Sequence, residues 1–323
     1  MLQIPRRGIR SADQVQVKIY LEHFDFSGPD TVELGEGITL QKLTDKERSD
    51  LAQDPAPGAI FHQFSPMPGD VQLIGWALQR ERIGPRVNTW MVQADLGLVE
   101  LTASLIRCIH PGHFFWRAVK ADESGWGSDA PFTFSSGRYP DVSPLQEITR
   151  ITESDIALVR TALHPFLEWM TTSDGNTPIA LSRFNDGCKE PRPEDKIIDL
   201  AISLESSLLG GERVDQKLRF ALRGASLLAQ NDSERGQLFD LLSQVYDARS
   251  ATVHGGKPDL STLKLADIEG VTGRVLVRLS ELGGEGFSHK KILRNLERYV
   301  LERQNHETLS DYLRRASQSQ ART

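Results

Sequence analysis

The stretch Tyr246-Asp247-Ala248-Arg249-Ser250-Ala251-Thr252-Val253-His254-Gly255-Gly256 decides how this chain is read. It closes a run with apolar residues at Leu238, Leu241, Leu242 and Val245, the three- and four-residue spacing of one helix face. Ser233 with Glu234 opens that helix, and the paired glycines stop it. Four residues beyond Val245 the inward stripe reaches Arg249. One helix upstream the same thing happens. Pro191-Arg192-Pro193 opens a helix with Pro193 near its first turn, with Ile197, Ala201, Leu204 and Leu208 facing inward and Gly210-Gly211 at its end. Its stripe through Ile198 and Ala201 continues to Glu205. A charge on a core-facing position loses hydration, which is costly unless the charge is paired or used. Arg249 and Glu205 therefore read either as an ion pair pinning two helices or as part of a working site.

His254 bears on that choice. It lies five residues past Arg249, so an ideal helix sets the two side chains about 140° apart. They converge only if the last turn unwinds at Gly255-Gly256, or if a second copy of the chain supplies one of them. Brought together, a guanidinium grips non-bridging phosphate oxygens and an imidazole moves a proton on or off a ribose oxygen, chemistry that requires no metal or other cofactor. The plainer role for His254 is to cap the helix C-terminus.

Outward from these helices the pattern stays helical. Glu153 to Met170 carries Ile156, Val159, Leu163 and Leu167 on one stripe, with Pro165 as a possible bend. Ile179 to Phe184 is a short segment. Leu218, Ala221, Leu222, Ala225, Leu228 and Ala229 form a seam, and helices are expected at Leu265–Leu282 and His289–Leu301, with Ser317 to Gln320 frayed. Before residue 150 the character is different, because Gly, Pro and aromatic residues punctuate short runs. Strands are expected at Val15–Leu21, Val32–Leu34, Ile38–Leu40, Ala59–Phe64, Val71–Leu78, Thr89–Leu96, His113–Lys120 and Pro131–Phe134. Gly35-Glu36-Gly37 makes a hairpin of the second and third. Thr44 with Glu47 forms a capping box for a short helix, and Leu98, Leu101, Leu105 and Ile109 recur at helical spacing. The expected class is α+β: a β-rich α+β domain over 1–150, sensing a signal or selecting a substrate, then an all-α domain over 151–323.

Composition narrows the function. The chain has 323 residues, 39% hydrophobic and 25% charged, as in globular domains, and a formal charge of −6 argues against coating nucleic acid through bulk charge. No run approaches the length of a membrane span, and MLQIPRRGIR lacks the apolar core of a secretory signal. Cys108 and Cys188 read as free thiols, which points to the cytoplasm.

The glycine-terminated stretch resembles the R-x4-H motif of the HEPN superfamily, and its setting is similar to the ApeA-like branch. Pro193 to Gly211 (PEDKIIDLAISLESSLLGG) is the preceding helix, and Ala180 to Phe184 (ALSRF) comes before it. Val32 to Leu40 followed by a Thr-Asp-Lys-Glu helix start resembles, more loosely, the domains that precede such modules. The resemblance implies a HEPN-type helical bundle, a homodimer that brings two motifs together, and metal-independent RNA cleavage in antiviral or toxin-like roles. A phage-derived or cellular trigger would act at the N-terminal domain. It implies that Arg249 stabilises phosphorane charge and His254 acts as general acid or base. Glu205 would orient Arg249, Arg183 would add positive charge, and Tyr246 and Ser250 would support the motif. Many active members carry Asn, Asp or His where this chain has Ser250; a serine donates a hydrogen bond but carries no proton near neutral pH. Non-catalytic nucleotide- or RNA-binding members and purely dimerising ones also exist.

Other residues carry weaker signals. Arg213, Lys217, Arg219 and Arg223 fall on the polar faces of one helix, a solvated surface that, with Lys257, would guide an RNA backbone if it lies beside the motif. His110 and His113 lie close in sequence, with Glu123 beyond, but this spacing makes a turn before a strand more readily than a metal site. Phe114, Phe115 and Trp116 alternate between core and surface. Walker, GxGxxG, GxSxG and HExxH signatures are absent from the sequence.

Overall fold

The computed structural model describes residues 12–53, 74–87, 89–123, 133–134, 148–173, 176–212, 214–256, 260, 263–304 and 307–320. They fall into two compact units. The first holds residues up to Ala103 and His113–Arg160, the second Ser104–Gly112 and Thr161 onward. Residues 151–160 thus fall in the first unit, and Ser104–Gly112, the end of a helix, in the second.

The first unit is built on β1 (Ala12–Glu22), β2 (Phe24–Phe26), β3 (Thr31–Gly35), β4 (Ile38–Lys42), α1 (Asp45–Gln53), β5 (Ile74–Val87), α2 (Thr89–Ile109), β6 (Phe115–Glu123), β7 (Thr133–Phe134) and β8 (Thr149–Ile151). Six strands form an antiparallel sheet in the order β3-β4-β5-β1-β6-β7, while β2 and β8 make a separate parallel pair. Val17, Ile19 and Leu21 of the central strand β1 are buried, and so are Lys18 and Tyr20 on its other face. Lys18 tolerates that position because its Nζ lies 2.8 Å from Glu47 on α1. The expected hairpin is present, with positive φ at Gly35, Glu36 and Gly37. So is the capping box: Glu47 N–H donates to Thr44 Oγ1 at 3.2 Å, and Thr44 N–H to Glu47 Oε2 at 2.8 Å.

Thr89–Leu96 is a correction. It is the first part of α2 and not a strand, and the helix runs unbroken to Ile109. Its inward member there is Asp95, 1% exposed, whose carboxylate accepts two hydrogen bonds from Arg82 at 2.6 and 2.7 Å and lies 3.1 Å from Arg80 Nε. An inward carboxylate breaks the apolar stripe by which a helix is recognised in sequence. The strand expected at Val71–Leu78 is β5, which starts at Ile74 and continues to Val87. The strand expected at Ala59–Phe64 lies outside the described residues.

The second unit is helical. After α3 (Glu153–Thr172), which passes through Pro165 without interruption, come α4 (Asn176–Lys189), α5 (Pro193–Leu208), α6 (Gln216–Leu228), α7 (Asp232–Val253), α8 (Leu265–Gly284), α9 (His289–Glu302) and α10 (Leu309–Gln320). The segment expected at Ile179–Phe184 is the middle of the 14-residue α4, and Ser317–Gln320 belong to α10 instead of fraying. In α5, Ile197, Leu200, Ala201, Leu204 and Leu208 are buried, matching the stripe in the sequence. Helix α6 is covered on several sides by α5, α7, α8 and α9. Gly224 makes this close approach possible. A Cβ there would lie 2.5 Å from Leu242 Cδ1 and 3.2 Å from Leu208 Cδ1.

Candidate functional site

Helix α7 begins at Asp232, one residue earlier than Ser233. Asn231 is its N-cap and accepts from Glu234 N–H at 2.9 Å. Leu238, Leu242, Val245 and Ala248 make the buried face. Arg249 follows at the edge of that face. Its Nη2 lies 3.4 Å from Glu205 Oε2 on α5, with the two side chains 27% and 21% exposed. Both remain within reach of solvent. Nε of Arg249 is buried and has no hydrogen-bond partner. Burial pushes the Glu205 carboxyl above its ordinary value, and the nearby Arg249 charge opposes that shift. The pairing expected from the two stripes is therefore present, but as one long contact that leaves the guanidinium unsaturated.

The helix ends as the glycines require. Gly255 has φ +75°, its N–H donates to Thr252 O at 3.1 Å, and Gly256 N–H donates to Ala251 O at 2.8 Å. These are the two bonds of a Schellman motif. His254 is the C-cap, its N–H donating to Ser250 O, and its side chain is exposed. Because α7 stays regular through Val253, the last turn does not unwind, and the first of the two routes that would bring His254 to Arg249 is closed. Among the described residues no hydrogen bond or ion pair joins the His254 imidazole to Arg249. Ser250 is half-buried one residue beyond Arg249.

Tyr246 lies a turn earlier. Its ring stands edge-on to Phe220 at 5.6 Å, and its hydroxyl donates to Gln216 Oε1 at 3.4 Å. Beside it Lys217 Nζ lies 2.6 Å from Asp247 Oδ2, with both side chains largely exposed. The start of α6 thus runs alongside the end of α7, and Leu218 and Val253 expose apolar side chains on those two helix ends. Gln216 carries no signal in the sequence beyond its place at the start of α6.

The basic residues of α6 divide. Lys217 is on the surface. Arg219 is half-buried between Glu212 at 2.5 Å and Glu297 at 2.9 Å. Arg223 corrects the expectation of a solvated face: its side chain is 2% exposed and fully engaged within the bundle. Arg183 stands on α4 with Nη1 2.9 Å from Asp199 Oδ1. Its charge is already met there, and no contact joins it to Arg249. Lys257 and Arg213 lie outside the described residues. Among those described, no three His, Cys, Asp or Glu side chains converge as metal ligands, at His110 and His113 or elsewhere. Among the described residues no helix is long and apolar enough to cross a membrane.

Chemically, the end of α7 offers a partly exposed guanidinium steadied by one carboxylate and, five residues on, an exposed imidazole. Compared with protein-family models, curated proteins and solved structures, the chain finds no match.

Proposed function

We propose that this chain is a metal-independent endoribonuclease of the HEPN type that works as a homodimer in the cytoplasm, in antiviral defence or as a toxin. The observation that carries the reading is the state of Arg249: half-buried, held by Glu205 at a single 3.4 Å contact, with Nε unpartnered, on the same helix end as the exposed imidazole of His254. A guanidinium so placed accepts a phosphate oxyanion at little cost in rearrangement. The ribose 2′-oxygen attacks phosphorus and gives up its proton, the P–O5′ bond breaks and O5′ takes up a proton, leaving a 2′,3′-cyclic phosphate and a 5′-hydroxyl; His254 transfers the proton at one of those oxygens and water at the other. Glu205 orients Arg249, Ser250 donates a hydrogen bond, and Tyr246 with Lys217 flanks the approach. The N-terminal unit senses a trigger or selects RNA.

Arg249 and His254 of one chain are not in contact, so the working pair takes one member from each copy. The exposed Leu218 and Val253 supply apolar surface for that association. The same separation also favours a second reading, a nucleotide- or RNA-binding module without turnover. Incubation with RNA separates the two. Arg249→Ala and His254→Ala should each abolish cleavage, and mixing the two inactive variants should restore part of it, because one Arg249–His254 pair then survives in each heterodimer. Intact RNA with the wild-type chain, combined with nucleotide binding in calorimetry, would favour the binding module.

A further inference from the structure

The last turn of α5 carries Glu205 and is held with unusual completeness. A helix end leaves its final carbonyls without intrahelical partners. Here Arg223 of α6 reaches across and donates from Nη1 to Leu208 O at 2.9 Å and to Leu209 O at 3.5 Å. The imidazole Nε2 of His289 on α9 lies 2.7 Å from Ser207 O. Arg223 is itself fixed at its other two nitrogens, Nε by Glu297 at 2.9 Å and Nη2 by Glu212 at 2.8 Å. Leu209 N–H closes the turn on Glu205 O at 2.9 Å. The carbonyls that Arg223 grips are therefore three and four residues from Glu205, within one helical turn.

This clamp stands where α5 approaches α7. Helix α6 lies against both, with Gly224, the next residue after Arg223, placed between Leu208 and Leu242. The Glu205–Arg249 contact of 3.4 Å stands at the outer limit of a hydrogen bond, where a movement of well under an ångström makes or breaks it. We propose that Arg223 is a positioning residue for the anion site, setting the place of Glu205 and through it the orientation of the Arg249 guanidinium. The assignment rests on the functional reading above, in which that guanidinium binds phosphate. Arg223 touches no substrate, and its effect is indirect.

The test is a double-mutant cycle in the full-length chain, read by the titration of the Glu205 carboxyl in carbon-13 NMR. With Arg223 in place, Arg249→Met should raise the Glu205 midpoint, because an opposing positive charge has gone. In the Arg223→Met background that rise should shrink by about half or more, because the two groups are no longer held together. Arg219 still bridges Glu212 and Glu297 in that variant, which limits the damage to the fold. Should Arg223→Met fail to fold, Glu297→Gln loosens the clamp while keeping the guanidinium, and the same criterion applies. A merely structural Arg223 lowers stability but leaves the Glu205–Arg249 coupling of the folded chain alone, so equal rises in both backgrounds overturn the proposal. No RNA enters the measurement, so absence of cleavage and absence of positioning are separate results.

Discussion

Glu205 and Arg249 meet across α5 and α7 at 3.4 Å, near enough to feel each other's charge and too far apart to satisfy each other fully. Burial holds the carboxyl proton more tightly in the folded chain than in the unfolded one, and Arg249 works against this. A carboxyl whose folded pKa is raised favours folding below its unfolded value of 4.5, and that contribution is lost as pH rises through the folded value. Removing Arg249 raises the folded value further. Arg249→Ala should therefore destabilise by about 1–2 kcal/mol at pH 7, a figure reduced for partial exposure, and by clearly less near pH 4, where Glu205 is largely protonated in both states. Adding Glu205→Gln should recover most of the loss at pH 7. Urea titrations at the two pH values measure this, and an equal loss at both would show that the pair is not the cause.

Helix α8 carries two glycines with opposite surroundings. A Cβ on Gly273 would stand 2.2 Å from the carbonyl oxygen of Cys108 on α2, a backbone atom that cannot swing aside. Gly270, three residues earlier, has nothing within 4 Å of its hypothetical Cβ. Gly273→Ala should cost about 2 kcal/mol or more, through the strain of overpacking. Gly270→Ala should be neutral or stabilising by up to about 1 kcal/mol, because alanine loses less backbone freedom in a helix. Melting temperatures of the two variants should move in different directions. A Gly273→Ala variant as stable as Gly270→Ala would mean that α2 and α8 do not approach so closely.

Lys196 on α5 and Glu269 on α8 form an ion pair with side chains 5% and 7% exposed, and Lys196 Nζ also donates to Cys188 O at 3.4 Å. Removing one partner leaves the other charge buried, which should cost about 3–5 kcal/mol for Lys196→Met or Glu269→Leu alone. The double variant should lie much nearer the wild type, because two apolar side chains replace two desolvated charges. Chemical unfolding of the three variants gives the coupling directly. If the double variant is as unstable as the sum of the singles, the interaction is not between these two residues.

The extent to which the sequence could be read differs between elements for physical reasons. The end of α7 was legible in the sequence, because glycines after an amphipathic run have few uses other than a left-handed cap, and Gly255 adopts that conformation while Gly256 N–H closes the motif on Ala251 O. The Glu205–Arg249 pairing was legible because both charges interrupt apolar stripes. Arg223 was not. It sits on a helix enclosed by α5, α7, α8 and α9, so a polar residue on it does not mark a solvent face, and its partners Leu208, Glu212 and Glu297 are distant in sequence. The start of α2 failed for a related reason, since Asp95 is inward only because Arg80 and Arg82 on β5 neutralise it. Periodicity detects an apolar face but not a buried charge whose partner comes from elsewhere.

The two cysteines offer a prediction with the same sign of pH dependence as Glu205, displaced to the alkaline end. Cys108 and Cys188 are both buried and unpaired, and burial pushes the Cys188 thiol up from 9.0 to about 12. Burial likewise raises Cys108, with Cys188 adding to the rise and Arg107 opposing it. The reactive species is the thiolate, so neither residue should react appreciably with iodoacetamide in the native chain at pH 8, while both should react once the chain is unfolded in urea. A thiol with a raised folded pKa favours folding below 9.0, and that contribution is lost as pH rises toward 12. Stability should therefore decline from about pH 9 upward, and Cys188→Ala should make the decline shallower while costing some packing energy at neutral pH. Rapid native labelling at pH 8 would place a thiol at the surface and overturn the packing of α2 against α4 and α8 on which its inertness depends.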